Sequence, residues 1–166
     1  IDRTVNTAFW NRHFAKFSNA GILRIGSIAN NNKAGIQNNG AFDNFETGEI
    51  YIERVVEECI KNSSLLPFNN SGKIQIGGVN SGGNVGIQNS SEFNHLGGEI
   101  IIDRVRTGID NDYFGSFTNS AKLTIGSIAG ISFYGISNGG FFLNNAGSLI
   151  SIDRVIGYGF ETHGQT

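Results

Sequence analysis

Apolar and polar residues alternate in short bursts along the whole chain. The clearest bursts are pairs of branched aliphatics one residue apart: Leu23/Ile25, Ile50/Ile52, Ile74/Ile76, Ile100/Ile102, Leu123/Ile125 and Ile150/Ile152. Period-two alternation of β-branched residues, bounded by Gly and Asn, predicts short strands joined by tight turns. No stretch sustains a helical period. Three residues past each pair stands a further branched residue: Ile28, Val55, Val79, Val105, Ile128 and Val155. These are expected to form one more buried column.

The bursts recur about every 25 residues. A small-apolar-x-Asn phrase recurs with them, ending at Asn11, Asn38, Asn62, Asn89, Asn111 and Asn138. A phenylalanine follows at Phe17, Phe42, Phe68, Phe93, Phe117 and Phe142, and two residues later Asn19, Asn44, Asn70, His95, Asn119 and Asn144. A unit of three short strands cannot bury its apolar side alone, but stacked units can. The expected fold is all-β: a single-stranded parallel β-helix, or β-solenoid, of about six coils, forming one domain over residues 1–166. Like residues then stack about 4.8 Å apart. Inward asparagines at the bends form amide ladders that satisfy polar groups costly to bury.

Successive coils differ. Asp2-Arg3, Glu53-Arg54, Asp103-Arg104 and Asp153-Arg154 alternate with Gly26-Ser27, Gly77-Gly78 and Gly126-Ser127. Loops after Ile28, Val79 and Ile128 are longer than those after Val55, Val105 and Val155. The repeat is therefore a coil pair of about 50 residues, approximately 1–51, 52–101 and 102–151, with 152–166 beginning another coil. Alternation separates like charges to about 9.6 Å, near the Debye length in physiological salt. The column Glu49, Lys73, Glu99, Lys122 alternates in sign for the same reason. It ends in Ile22 and Leu149.

Composition narrows the function classes. Charged residues make up 16% and the net charge is −2, which gives no electrostatic case for nucleic acid or an anionic membrane. No apolar run is long enough to span a bilayer. One cysteine excludes an internal disulfide framework and a multi-cysteine metal site. Cys59 stands in a column otherwise held by Gly or Ala, as a small residue in a tight place.

No residues are predicted to be catalytic or metal-ligating, and no cofactor is expected. His95 substitutes for Asn in a ladder column, while His13 and His163 share no spacing with it that suggests a metal site or triad. Asp110-Asn111-Asp112 lacks the Gly and distal Glu of a calcium loop. Glu57-Glu58 reads as a solvated pair. Carboxylates spread along columns instead of converging in a groove. The sequons at Asn62 and Asn89 fall on inward positions, which argues against glycosylation there.

The phrases Gly35-Ile36-Gln37-Asn38-Asn39-Gly40-Ala41-Phe42-Asp43-Asn44 and Gly86-Ile87-Gln88-Asn89 through Ile100-Ile101-Ile102 resemble Asn/Gly-rich β-solenoid repeats of large secreted bacterial surface proteins, the filamentous-haemagglutinin-like adhesins. The resemblance covers nearly the whole chain. It implies a parallel β-helix, a secreted or cell-surface location and a structural or adhesive role, and it carries over no catalytic residues. The expected function is a non-enzymatic segment or subunit of a fibre, filament or adhesin stalk. The chain starts in mid-pattern at Ile1-Asp2-Arg3 and neither end has a capping pattern. Either more repeats flank it or copies of it stack head to tail, through Ile1, Ile22, Leu149, Ile152, Val155 and Phe160. The alternative is an adhesion module that binds a glycan or host surface on a lateral or loop face. A contiguous exposed patch among Trp10, Tyr51, Tyr113, Phe133, Tyr134 and Tyr158 would favour it.

Overall fold

In the computed structural model, residues 1, 2, 4–26, 33–80, 83–131 and 133–163 are described. Their short alternating bursts form nineteen strands, numbered in chain order, and three parallel sheets. The first sheet holds β1 (Phe9–Asn11), β4 (Ile36–Asn38), β7 (Glu58–Asn62), β10 (Gly83–Asn89), β13 (Val105–Asn111), β16 (Tyr134–Asn138) and β19 (Tyr158–Thr162). The second holds β2 (Lys16–Asn19), β5 (Ala41–Asn44), β8 (Phe68–Asn70), β11 (Glu92–His95), β14 (Ser116–Asn119) and β17 (Phe141–Asn144). The third holds β3 (Ile22–Ile25), β6 (Glu49–Ile52), β9 (Lys73–Ile76), β12 (Glu99–Ile102), β15 (Lys122–Ile125) and β18 (Leu149–Ile152). The chain visits the sheets in rotation, one strand of each per coil. This is a parallel β-solenoid of about 6 turns of ~25 residues, with no helix among the described residues.

Register follows residue identity. Asn38 pairs with Asn11 and Asn62, Phe93 with Phe68 and Phe117, and Ile76 with Ile52 and Ile102. A one-residue slip would turn every inward side chain to solvent, so the apolar alternation holds each strand in place. The interior is a set of columns: the first-sheet isoleucines, the second-sheet phenylalanines and two aliphatic columns of the third sheet. From Phe42 to Phe142 the rings stack face to face, with interplanar angles of 6–9°. Phe17 is tilted by 45° from Phe42, where Phe9 crowds it at 4.5 Å.

The small residue ahead of each first-sheet isoleucine is demanded by the backbone. A Cβ added at Gly86, Gly108 or Gly135 would lie 2.4–2.5 Å from the carbonyl oxygen of the coil above. Cys59 occupies this column fully buried, and burial pushes its thiol pKa up, with Glu58 adding to the shift. It is a packing residue with little thiolate character.

One predicted column is corrected. Val55 and Val105 are buried and Val155 packs against the core, but Val79 is 77% and Ile128 52% exposed. Ile28 lies outside the described residues. In the glycine coils a longer loop reaches the lane further along the chain. Gly83 pairs with Val105, and Ile131, fully buried, bridges to Val155. The column holds inward residues at unequal distances from the strand, which a fixed sequence offset misses.

Candidate functional site: two ladders, a corner clamp and the lateral grooves

The first corner, between the first and second sheets, carries an amide ladder. Each Nδ2 donates to the Oδ1 of the next coil: Asn11 to Asn38 at 2.8 Å, Asn38 to Asn62 at 2.9 Å, Asn62 to Asn89 at 2.9 Å, Asn89 to Asn111 at 2.8 Å and Asn111 to Asn138 at 2.7 Å. The second proton is also used: Asn62 donates to Glu92 O at 3.0 Å and Asn111 to Phe141 O at 2.9 Å. All six are buried. Thr162 takes the seventh place, in register with Asn138. The Asn62 and Asn89 sequons are thus committed to the interior.

The second corner repeats the device with one interruption. Asn19 donates to Asn44 at 2.8 Å, Asn44 to Asn70 at 2.7 Å and Asn119 to Asn144 at 2.7 Å. Between them Asn70 Nδ2 meets His95 Nδ1 at 3.1 Å, and His95 Nε2 meets Lys122 O at 2.9 Å. A carbonyl only accepts and this amide nitrogen only donates, so the ring is neutral and carries its proton on Nε2. Burial lowers the His95 pKa, against the backbone contacts that raise it.

The third corner has no ladder and is held by the acid-Arg pairs. Asp103, fully buried, accepts from Ile128 N–H at 2.9 Å, Ala129 N–H at 3.2 Å and Ser127 Oγ at 3.2 Å, all in the following coil. Glu53 likewise accepts from Val79 N–H at 3.2 Å and Asn80 Nδ2 at 2.6 Å. The arginines also reach the preceding coil: Arg54 to Gly26 O at 3.5 Å, Arg104 to Gly78 O at 3.3 Å and Arg154 to Ile128 O at 2.6 Å, while Arg54 donates as well to Asn80 Oδ1 of the following coil at 2.9 Å. Glu53-Arg54 and Asp103-Arg104 thus each span three coils. The same clasp lifts Val79 and Ile128 out of the core. Arg54, Arg104 and Arg154 adopt φ of 50–55°, the left-handed region. In the intervening coils Gly26, Gly77 and Gly126 take positive φ one residue earlier. The coils therefore alternate for a contact reason as well as a charge reason, since each turn type fits against the other.

The side faces carry the remaining polar chemistry. Glu99 pairs with Lys122 at 2.6 Å on the predicted alternating column, while Lys73 lies 5.4 Å over the Tyr51 ring. Exposed pairs of this kind contribute at most about 1 kcal/mol. Glu58 contacts Lys61 at 3.6 Å. Burial would raise the Asp43 pKa, but the hydrogen bond from Asn69 and the Lys16 ion pair outweigh it and hold the carboxyl below its usual range. Burial raises that of Asp110, Asp112 raises it further and His163 opposes them. Ser137 Oγ and Glu161 Oε2 both approach His163 Nε2, at 3.2 and 3.3 Å. A relay needs serine and acid on opposite ring nitrogens, so this trio is not arranged as a catalytic triad. Among the described residues no three His, Cys, Asp or Glu side chains converge as metal ligands.

Two lateral grooves stand out. One, of about 440 Å³, lies beside Trp10 and is lined by Thr7, Gln37, Glu58 and Lys61. Trp10 Nε1 donates to Asn39 Oδ1 at 2.9 Å, and Arg12 covers its ring at 4.6 Å. The other, of about 310 Å³, lies against Tyr51, which Arg24 covers at 4.3 Å. The aromatic residues fall in separate groups. Tyr134 stacks on Tyr158 near the last coil with Phe133 edge-on to Tyr134, Tyr113 joins Phe114, and Trp10 and Tyr51 stand apart.

Cover thins toward the ends: Phe17 and Leu23 in the first coil and Phe142 and Ile150 in the last are half-buried, while Asn11, Asn19 and Ile25 stay buried. Ile1 sits over the first complete coil: Gly26 N–H donates to its carbonyl at 2.9 Å and its amino group donates to Arg24 O at 2.6 Å. Ile1, Ile22, Leu149 and Phe160 are exposed, and Ile152 and Val155 are half-buried. No family profile, curated protein or solved structure matches this chain.

Proposed function

We propose that this chain is a segment or subunit of an extracellular β-solenoid fibre, filament or adhesin stalk, secreted or at a cell surface, with a mechanical rather than catalytic role. The observation that carries the reading is continuity. Amide ladders and aromatic and aliphatic columns run through the stack, and in the outermost described coils column members such as Phe17, Leu23, Phe142 and Ile150 are only half-buried. Such edge coils are templates for further parallel strands. A head-to-tail contact between unlike ends is heterologous and generates an open filament. Ile1 and Ile22 at one end and Leu149, Ile152, Val155 and Phe160 at the other supply the apolar surface for it. The partner is a further copy of the chain or neighbouring repeats of a longer one. Negative-stain electron microscopy of concentrated protein tests this. Filaments whose axial repeat is about 30 Å, six strand spacings, are expected. Isolated particles of that length at every concentration would overturn the stacking.

A second reading rests on the Trp10 groove. An indole beside amide, carboxylate and ammonium groups matches the mixed stacking and hydrogen bonding of a sugar ring. Titration with soluble oligosaccharides, followed by Trp fluorescence, tests it. Saturable quenching lost in Gln37→Ala is the supporting result, and no change with any sugar removes the reading.

A further inference from the structure

The first corner carries apolar side chains where turns call for polar ones. Arg12–Ala15 and Asp112–Gly115 are four-residue turns, closed by Ala15 N–H to Arg12 O at 3.1 Å and Gly115 N–H to Asp112 O at 2.9 Å. Phe14 and Phe114 take the third position of each, a place usually given to Gly, Asn or Asp. They are 89% and 79% exposed. Phe14 is held at φ 60°, a left-handed conformation unfavourable for a bulky side chain. Phe114 is braced by its N–H donating to the Asp112 carboxylate at 3.1 Å. Midway between them Leu65 is 96% exposed.

These three belong to the first, third and fifth coils. The second, fourth and sixth coils cross the same corner through short, small segments: Asn39-Gly40, Ser90-Ser91 and Gly139-Gly140. The corner is therefore a row of knobs about 9.6 Å apart, two strand spacings, with a recess between neighbours. The recess between Leu65 and Phe114 measures about 520 Å³ and is lined by Ser90 and Ser91. The cleft between Phe14 and Leu65 is narrower, about 20 Å³.

We propose that this corner is a lateral interface between two antiparallel copies of the chain, the knobs of each seated over the recesses of the other. A two-fold axis between the third and fourth coils sets Leu65 against the partner's Ser90-Ser91. It sets Phe114 against the partner's Asn39-Gly40 and Phe14 against the partner's Gly139-Gly140. Each coil level then holds one apolar side chain, so the half-density row of one copy completes that of the other. Charge selects the direction. Antiparallel pairing puts exposed Arg12 one level from the partner's Asp112. Parallel pairing slipped by one coil would put Asp112 level with the partner's Glu92. The same patch serves on both copies, so the contact closes as an isologous dimer. It leaves both ends of the solenoid free and is independent of head-to-tail stacking.

Sedimentation velocity on the whole chain is the test. A dimer is expected that becomes monomeric in Leu65→Ser/Phe114→Ser with far-ultraviolet circular dichroism unchanged, since both side chains are exposed in the single chain, and with a lower melt only by the amount that dimerisation contributes. Under mild oxidation Leu65→Cys should cross-link to itself, because the two copies place residue 65 on adjacent levels, while Phe14→Cys should not, being five levels apart. The buried Cys59 does not interfere. A monomer at all concentrations overturns the proposal, as does a dimer indifferent to the double substitution. A dimer in which Leu65→Cys fails to cross-link overturns the antiparallel register. A monomer that floats with phosphatidylcholine vesicles assigns the row to a lipid surface instead.

Discussion

The Nδ1 of His95 accepts a hydrogen bond from Asn70 at 3.1 Å, so one imidazole divides the second ladder into two runs. The contact exists only while the ring is neutral. Burial holds the native pKa below the ordinary 6.5. As pH falls the unfolded chain takes up the proton first. The contribution to stability is present above about pH 6.5 and is lost as pH falls toward the native pKa. Urea midpoints should therefore drop through this window in the parent chain and much less in His95→Asn. At neutral pH, His95→Asn should add about 1 kcal/mol by joining Asn70 to Asn119. Equal pH profiles in the two proteins would show that His95 does not govern the acid limb.

Asn89 sits in the middle of the first ladder, with Asn62 below and Asn111 above. Removing its amide strands a donor on one neighbour and an acceptor on the other, both buried. Asn89→Ala should cost roughly 2–5 kcal/mol in chemical denaturation. Asn144→Ala, at the edge of the second ladder, should cost less than half as much. Equal losses would mean that the ladder adds nothing beyond local turn bonds.

Two glycines with similar φ separate steric from conformational cost. At Gly126, φ 75°, an added Cβ would lie 1.9 Å from the Asp153 carbonyl oxygen. At Gly147, φ 82°, it would meet nothing within 4 Å. Gly147→Ala should lose about 1–2 kcal/mol, the left-handed penalty alone. Gly126→Ala should lose distinctly more, because the neighbouring coil must move. Thermal melts of both variants read this directly, and an equal shift would refute the close approach.

Asp103 clasps the following coil through two backbone N–H groups and a hydroxyl. Asp103→Ala leaves those donors without a partner and should cost about 2–4 kcal/mol. Hydrogen exchange should rise first at Ile128 and Ala129. Uniform loss of protection across the chain would argue against a local clasp.

Much of this fold can be read directly from residue identity. A stack of parallel coils places equal residues above one another, so the Asn, Phe and Ile columns appear in the sequence as plain repetition. Where loops change length, identity fails. Val79 and Ile128 occupy the expected offset but lie outside, because the clasp on Glu53 and Asp103 redirects their turns. Gly83 and Ile131 fill the lane from further along, and nothing in their spacing announces it. The first-corner knobs escaped sequence reading for a different reason: they are not identical residues and recur only in every second coil. Phe14, Leu65 and Phe114 differ in type, but each stands three residues after a ladder asparagine (Asn11, Asn62, Asn111) and three before a column phenylalanine (Phe17, Phe68, Phe117). A search for apolar residues at turn positions, every second repeat, would have found them.

The two-coil rhythm of the third corner restricts how such a protein can change its length. Duplicating one acid-Arg coil would set an acid-Arg turn directly on another, with no Gly turn for the lower carboxylate to hold or for the upper arginine to reach. Duplicating two coils preserves every contact. Viable length variants should therefore differ by whole coil pairs, and tandem duplication within the gene has a built-in parity.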